Sequence, residues 1–504
     1  MSLLSRRSVL VLVVLLVGAA VGVALLPERY AVNVPLMHAL FGRGGANVGE
    51  DVVLERLRVA RGFSVARFAR DVPNVRALRF TPQGDLLASQ PRAGRVVLLH
   101  ADADGDGLAD GLTPLLQELN RPHGIDLHAG WLYVAETDAV GRVRFDARRR
   151  QVVGPFERVV KGLPAGGNHW TRSLRFGPDG WMYVSIGSTC NVCIEEDRRR
   201  ATLMRYRPDG SGEEVFATGL RNAVGFDWRP ADGKLYATDN GRDLLGDDFP
   251  PCELNEVLQG GFYGWPFANG DRIPDPDFGA GQEARVAASR PPVHGFRAHN
   301  APLGIAFVRP AQSPLGYEGA ALVALHGSWN RTRKDGYKVV SLHWRPDGSI
   351  EEREFLAGFE QDEDVIGRPV DVAQGPDGAF YVSDDYGGSV FRVSVTPDGA
   401  DAGSGPGLLG SAWAGPAQPQ SGTAAGRGQV LYAAHGCARC HEPGAAEAGM
   451  RVHPLRELNA RWDLDGLATY LAAPTPPMPL VLLSRDEYRG LAAYLLAREP
   501  GKAE

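Results

Sequence analysis

The chain runs to 504 residues with a formal net charge of -6, 44% hydrophobic and 23% charged residues. That length exceeds one ordinary hydrophobic core, so two or more domains are expected, and a mildly acidic chain lacks the basic footprint of a nucleic-acid binder. High counts of Gly (63) and Pro (36), set among short alternating apolar runs, point to many turns and an all-β main domain.

At the N-terminus, Arg6 and Arg7 precede an apolar run from Val9 to Leu26, followed by Pro27-Glu28-Arg29. The run is about long enough to span the hydrocarbon of a bilayer. Without a clear small-x-small cleavage site, residues 1–30 read as an uncleaved anchor in preference to a removed signal peptide. Ser5-Arg6-Arg7 also has the look of a twin-arginine signal. In each case the positive flank stays in the cytoplasm and the chain beyond Leu26 is exported. The expected location is periplasmic, anchored to the inner membrane by residues 9–26, or secreted if the segment is cleaved.

From about residue 50 to 396 one unit recurs: a turn, a β run, a Pro-Asp-Gly type turn, then a run of the form apolar-Tyr-Val. Its instances begin at Ala77, Pro122, Ser173, Asn222, Pro302 and Pro369, with second runs such as Trp131-Leu132-Tyr133-Val134, Trp181-Met182-Tyr183-Val184 and Phe380-Tyr381-Val382. Six units at intervals of about forty to sixty residues predict a six-bladed β-propeller, one four-stranded sheet per unit. Between the first two units, Asp102, Asp104, Asp106 and Asp110 alternate with Gly in the manner of a calcium loop, but Thr113 stands where the bidentate Glu is expected. A partial calcium site and a set of solvated Asp turns are equally good readings.

Two of the five cysteines belong to a C-terminal motif; the others are Cys190, Cys193 and Cys252. In an oxidising compartment Cys190 and Cys193 can close a small disulfide loop and leave Cys252 over, with a zinc site as the competing reading.

Propeller active sites form at one mouth of the central channel, where loops from successive blades converge. Residues suited to chemistry recur at matching places: His169 just before the inner strand of the third unit, Arg221 in the fourth and Arg368 in the sixth. Several motifs occur together: Gly167-Asn168-His169 ahead of Leu174-Arg175-Phe176-Gly177-Pro178-Asp179-Gly180, Gly219-Leu220-Arg221-Asn222, Asp239-Asn240-Gly241-Arg242, Glu253-Leu254-Asn255-Glu256-Val257 and Gly260-Gly261-Phe262-Tyr263-Gly264-Trp265-Pro266. In this combination the chain resembles the soluble quinoprotein sugar dehydrogenases, six-bladed propellers that bind pyrroloquinoline quinone (PQQ) and calcium. Gly187-Ser188-Thr189-Cys190-Asn191-Val192-Cys193 and His326-Gly327-Ser328-Trp329-Asn330-Arg331 are closest to the sorbosone dehydrogenase branch.

The resemblance implies that His169 is the general base, taking the proton of a substrate hydroxyl while hydride passes from the same carbon to the quinone. An imidazole titrating near neutrality suits that transfer. It further implies that Arg221 polarises a quinone carbonyl, that Asn222 and Arg368 hold the quinone's carbonyls and carboxylates, and that backbone carbonyls of Gly241 and Arg242, with Asn240 alongside, ligate calcium. Gln90 or Arg92 falls where the first blade would touch the cofactor, and Lys338 is a further candidate from the fifth. The glucose-oxidising members carry an acid where this chain has Ser188, and a second arginine where it has Val370.

Residues 397–424, rich in Gly, Ala, Pro and Ser, read as a flexible linker. In residues 425–504, Cys437-Ala438-Arg439-Cys440-His441 is a C-x-x-C-H run, with two thiols spaced to form thioethers to a haem and a histidine to ligate its iron. Met478, in Pro476-Pro477-Met478-Pro479, is the expected sixth ligand, with Met450 and His453 as competitors. A helix running into the motif and another over Ser484 to Leu496 would pack together. This tail resembles a small class I cytochrome c, with one covalent haem c.

Together these readings describe a quinohaemoprotein that oxidises a sugar or sugar aldehyde and passes electrons through its haem to a cytochrome or respiratory chain. The alternatives are a calcium-dependent, lactonase-like propeller hydrolase and a non-catalytic propeller carrying an electron-transfer haem.

Overall fold

The computed structural model describes residues 28–33, 49–314, 316–396 and 411–412, and in the C-terminal part 428, 431–432, 437–441, 455, 458–472 and 485–498. The chain divides into two compact units, Met1–Trp413 and Ala414–Glu504. The apolar run Val9–Leu26 lies outside the described residues; among these, no helix is long and apolar enough to cross a membrane.

The first unit is a six-bladed β-propeller of antiparallel sheets. Blade 1 is built from Leu78–Phe80, Leu86–Gln90, Arg95–Leu99 and Leu112–Leu116, and blade 2 from Ile125–His128, Trp131–Ala135, Ala139–Asp146 and Gln151–Lys161. The inner strands of blades 3, 4 and 5 are Leu174–Phe176, Ala223–Trp228 and Pro302–Phe307. Blade 6 consists of Pro369–Gln374, Phe380–Asp384 and Ser389–Val395, and its fourth strand comes from the start of the propeller: Phe63–Ala69 pairs with Ser389–Val395, Phe63 opposite Val395. The ring is thereby closed by hydrogen bonds between residues more than three hundred positions apart.

The repeat that marks each blade in the sequence has a local cause. In blade 3, Gly180 donates its N–H to Gly177 O at 2.9 Å with φ +76°, a left-handed conformation that favours glycine. Asp179 accepts the N–H of Trp181 through one carboxylate oxygen, at 3.2 Å, and the hydroxyl of Tyr183 through the other, at 2.9 Å. In blade 6, Asp377 does the same for Ala379 and Tyr381. The Asp-Gly turn and the Tyr-Val run after it are therefore one hydrogen-bonded device.

Around the channel, neighbouring inner strands are stapled by charge. Asp126 accepts the N–H of Phe176, Asp227 that of Phe307 and Asp371 that of Leu78, each from the adjoining blade at 2.8–2.9 Å. Arg79 and Arg175, also on inner strands, pair with Asp126 (3.4 Å) and Asp227 (3.0 Å). Each cation there is stable only beside its anion.

The second unit gathers Tyr432, Leu458, Leu467, Leu471, Tyr488, Leu491 and Leu495 into one core. Its helices include Ala438–His441, Leu464–Ala472 and Arg485–Arg498. Gly428, in a helical turn, meets Gly490 of the last helix so closely that a Cβ on Gly428 would collide with the Gly490 carbonyl. Cys437 leads directly into the helical turn that ends at His441, whose N–H donates to Cys437 O at 3.2 Å. Met450, His453 and Met478 lie outside the described residues.

Removing one partner of a buried pair leaves the other charge stranded. Asp227→Ala would strand Arg175 and free the N–H of Phe307, and a loss of about 3 kcal/mol in unfolding free energy is expected, read as a lower urea midpoint at unchanged slope.

Candidate active site at the channel mouth

The residues just ahead of the inner strands converge at one end of the channel on a cavity of about 380 Å³. Arg76, His169, Arg221, Asn222, His326 and Arg368 all line it, from five of the six inter-blade junctions and blades. Val224 and Leu303 line its inner end and pack against Val370, which lines the channel beyond. This apolar cluster separates the cavity from the channel below.

His169 is held at Nδ1, which lies 2.9 Å from both the carbonyl oxygen and Oγ of Ser188. Since the Ser188 hydroxyl donates to Cys190 O at 2.7 Å, its oxygen acts as acceptor for the ring. Nδ1 therefore carries the proton and Nε2 keeps the lone pair. Ser188 does by hydroxyl and carbonyl what an acid would do by charge. Burial, and then the positive field of Arg221, push the His169 pKa down to about 3, so the ring is neutral at physiological pH. Gly187 makes the arrangement possible: a Cβ there would fall 2.6 Å from Asn222 Oδ1 and 2.7 Å from His169 Cβ.

Arg221 is buried and fixed by four acceptors. Nε donates to Asn191 O (2.9 Å), one Nη to Asn240 O (3.1 Å), and the other to Asn191 Oδ1 (2.9 Å) and Asp243 Oδ2 (3.0 Å). Asn191 also receives the N–H of Asp243 and donates to its carbonyl. It sits inside the loop closed by the Cys190–Cys193 disulfide. One short loop thus orients both His169, through Ser188, and Arg221, through Asn191. Cys252 is outside that pairing; it is buried in the cavity wall, where burial pushes its thiol up to about 11.

Two amide oxygens in the cavity wall, Asn222 Oδ1 and Asn240 Oδ1, are buried without a hydrogen-bond partner among the described residues. Beside them lies Gly241. Unsatisfied buried oxygens are costly, and a set of neutral oxygens fits a hard cation such as calcium.

Across the cavity stands a second imidazole that the sequence reading did not assign. His326 lies 2.9 Å from Asp385 through Nε2, and Asp385 in turn pairs with Arg76 at 2.5 Å. Burial and Arg368 lower the His326 pKa to about 4, while the facing His326 and Arg76 hold Asp385 well below the usual carboxylate range in spite of its burial. Arg368 donates to the carbonyls of His326 and Gly327.

Three expected side chains lie elsewhere, and that of Arg242, whose expected role is through its backbone carbonyl, serves the fold. Gln90 is wholly buried, donating to Pro73 O and accepting from Arg95. Arg92 is exposed, its N–H capped by Asn74. Lys338 pairs with Glu354 on blade 5. The Arg242 side chain turns from the cavity into a buried pair with Asp275 at 2.7 Å and a second with Asp277. Arg76 and His326, and not Gln90, Arg92 or Lys338, line the cavity. In the Asp102–Asp110 loop, Asp102 and Asp104 accept the N–H groups of Gly105, Gly107 and Asp106, so these carboxylates cap their own turns.

The sequence matches the TrAA12-like family over residues 57–249 and 280–396. The chain belongs to that family. Among its relatives is an uncharacterised protein of Borreliella burgdorferi, 35% identical over 299 residues, covering 55% of this chain and 77% of the relative. A pyrroloquinoline quinone-dependent pyranose dehydrogenase of Coprinopsis cinerea is 23% identical over 405 residues, 67% of this chain but 54% of that protein. By fold, this TrAA12-like chain is similar to the holo PQQ domain of the Coprinopsis enzyme (TM-score 0.57, 23% identity, 67% of this chain and 97% of that one). It is likewise similar to a calcium structure of a Trichoderma reesei enzyme of carbohydrate-active family AA12 (TM-score 0.59, 20% identity, 68% and 97%). The family match ends at residue 396, ahead of the C-terminal unit.

The lowered histidines set a pH dependence. In the unfolded chain His169 would titrate near its ordinary 6.5, in the folded one near 3, so between those values the unfolded state binds the extra proton and stability falls as pH falls. His169→Gln should flatten the urea midpoint against pH between 6.5 and 4; an unaltered slope would mean that the ring is not held neutral.

Proposed function

We propose that this protein is a PQQ-dependent dehydrogenase of a sugar or sugar aldehyde, exported and anchored by its N-terminal apolar run. The observation that carries this reading is the meeting, in one cavity, of a tautomer-fixed neutral imidazole, three guanidinium groups and two unpartnered amide oxygens. A quinone bearing several carboxylates needs cations for its acid groups and its carbonyls, and a calcium ion needs oxygens. Arg76, Arg221 and Arg368 would supply the former; Asn222, Asn240 and Gly241 the latter.

Bound there, PQQ would supply the two-electron acceptor that no side chain offers. The chain's own residues do the rest. His169 Nε2 takes the proton from the substrate hydroxyl, and Ser188 keeps the ring from turning as charge arrives on it. Arg221, immobile in its four acceptors, presents fixed positive charge without reorganisation. His326, aligned by Asp385, orients the reacting molecule from the opposite wall, and the apolar floor excludes water from below.

The C-terminal unit is proposed to be a class I cytochrome c carrying one haem on Cys437 and Cys440, with His441 on the iron and Met478 opposite. Support comes from the CxxCH spacing, the helical turn between Cys437 and His441, and the close crossing of Gly428 with the last helix. It would receive electrons one at a time and pass them on to a cytochrome or the respiratory chain.

Loading the purified chain with PQQ and calcium and adding a panel of aldoses and sugar aldehydes should reduce the haem, seen as the sharpening of its visible bands. His169→Ala should slow that reduction by about 10²–10⁴-fold while quinone binding persists. Lactone hydrolysis without any change at the haem would favour a calcium hydrolase and contradict the proposal. Met478→Ala should lower the haem potential and alter its spectrum; an unchanged spectrum would move the sixth ligand to Met450 or His453.

A further inference from the structure

The segment that follows the apolar run is fastened to the rim of the candidate active site. Asn330 donates to the carbonyls of Arg29 (3.2 Å) and Ala31 (2.6 Å), and Asn33 donates its N–H to Trp329 O (2.7 Å). The Asn33 side chain adds bonds to Thr332 O and Glu363, and accepts one from Lys334. Trp329 lines the cavity, and Asn330 also accepts the N–H of Leu244, next to Asp243 in the cavity wall. Residues 28–33 are thus a strap laid across the mouth face of the propeller.

Chain length then fixes where this face can lie. Arg29 follows Leu26 by three steps of chain, and an extended chain covers at most about 3.5 Å per step, or about 10 Å in all. If Val9–Leu26 spans a bilayer, as its length allows, the mouth rim can stand no farther than that from the membrane surface at Arg29. The surface chemistry agrees. Of the twelve large apolar residues exposed among the described residues, five belong to the strap or to loops hydrogen-bonded around this arc: Tyr30, Val32, Ile194, Leu244 and Trp329. Two exposed aromatics, Tyr30 and Trp329, with the Arg29 guanidinium 4.8 Å from the Tyr30 ring, have the make-up of a membrane-interface contact. The opposite mouth is lined instead by the ion-paired Arg79, Asp126, Arg175 and Asp227.

We propose that the strap Arg29–Asn33 turns the active-site mouth toward the lipid bilayer, with Tyr30, Val32, Ile194, Leu244 and Trp329 resting at the headgroup level. This rests on the anchored reading above. Substrates then enter sideways through the gap between rim and membrane, which admits small soluble sugars and excludes polymer chains.

The test uses the full-length chain in vesicles of phosphatidylcholine and phosphatidylglycerol containing a rhodamine-labelled lipid. A donor dye is placed on Leu244→Cys at the mouth or on Pro230→Cys at the opposite end, with the unsubstituted chain as blank. Flotation reports anchoring; energy transfer reports orientation. The expected result is flotation with transfer at least twofold greater from position 244 than from 230, the difference shrinking in Asn33→Ala, which cuts the strap at an accessible residue. Flotation with equal or reversed transfer would overturn the orientation while leaving the anchor intact. A chain that does not float would overturn both.

Discussion

A guanidinium taken out of water must find acceptors for its N–H groups, and the candidate site is built around how Arg221 finds them. Two come from Asn191, one from Asn240 and one from Asp243, so two separate stretches of chain, around 191 and over 240–243, are pinned to one side chain. The pinning runs outward: Asn191 belongs to the disulfide loop that also carries Ser188, and Ser188 sets the tautomer of His169. Asn240 brings its own unpartnered amide oxygen to the cavity wall beside Asn222. His169, Arg221 and the oxygens suited to a cation are thus mechanically one assembly.

The opposite wall follows the same rule with different parts. Arg76 is satisfied by Asp385, Asp385 aligns His326, and the backbone around His326 receives Arg368. Beneath both, the Arg–Asp staples of the channel keep neighbouring blades in register, which lets residues from blades far apart in sequence meet within a few ångströms.

Much of this was legible in the sequence, for identifiable reasons. The six blades could be counted because a tight turn and the apolar run after it recur within a few residues, closed in blades 3 and 6 into one hydrogen-bonded device. His169, Arg221 and Arg368 could be picked out because they stand immediately before inner strands, and all three line the cavity. Gln90 and Lys338 misled because they sit at the end of a second strand and the start of a third, a layer away from the channel, where their side chains serve the sheet. The partnership of His326 with Asp385 spans 59 positions, and the closure of blade 6 by Phe63–Ala69 more than 300; neither leaves a local pattern. Ser188 looked like a missing acid because sequence reports the loss of a charge, not the hydroxyl and carbonyl that take over its hydrogen bond.

The central claim is that the mouth cavity holds a quinone with its calcium, and equilibrium binding tests it most directly. Titrating PQQ into the calcium-loaded, cofactor-free chain should quench the fluorescence of Trp170 and Trp329, both in the cavity wall, to a sharp one-to-one end point that is abolished by chelator and weakened at least tenfold by Arg368→Ala. Quenching that neither saturates nor depends on calcium or Arg368 would contradict the account.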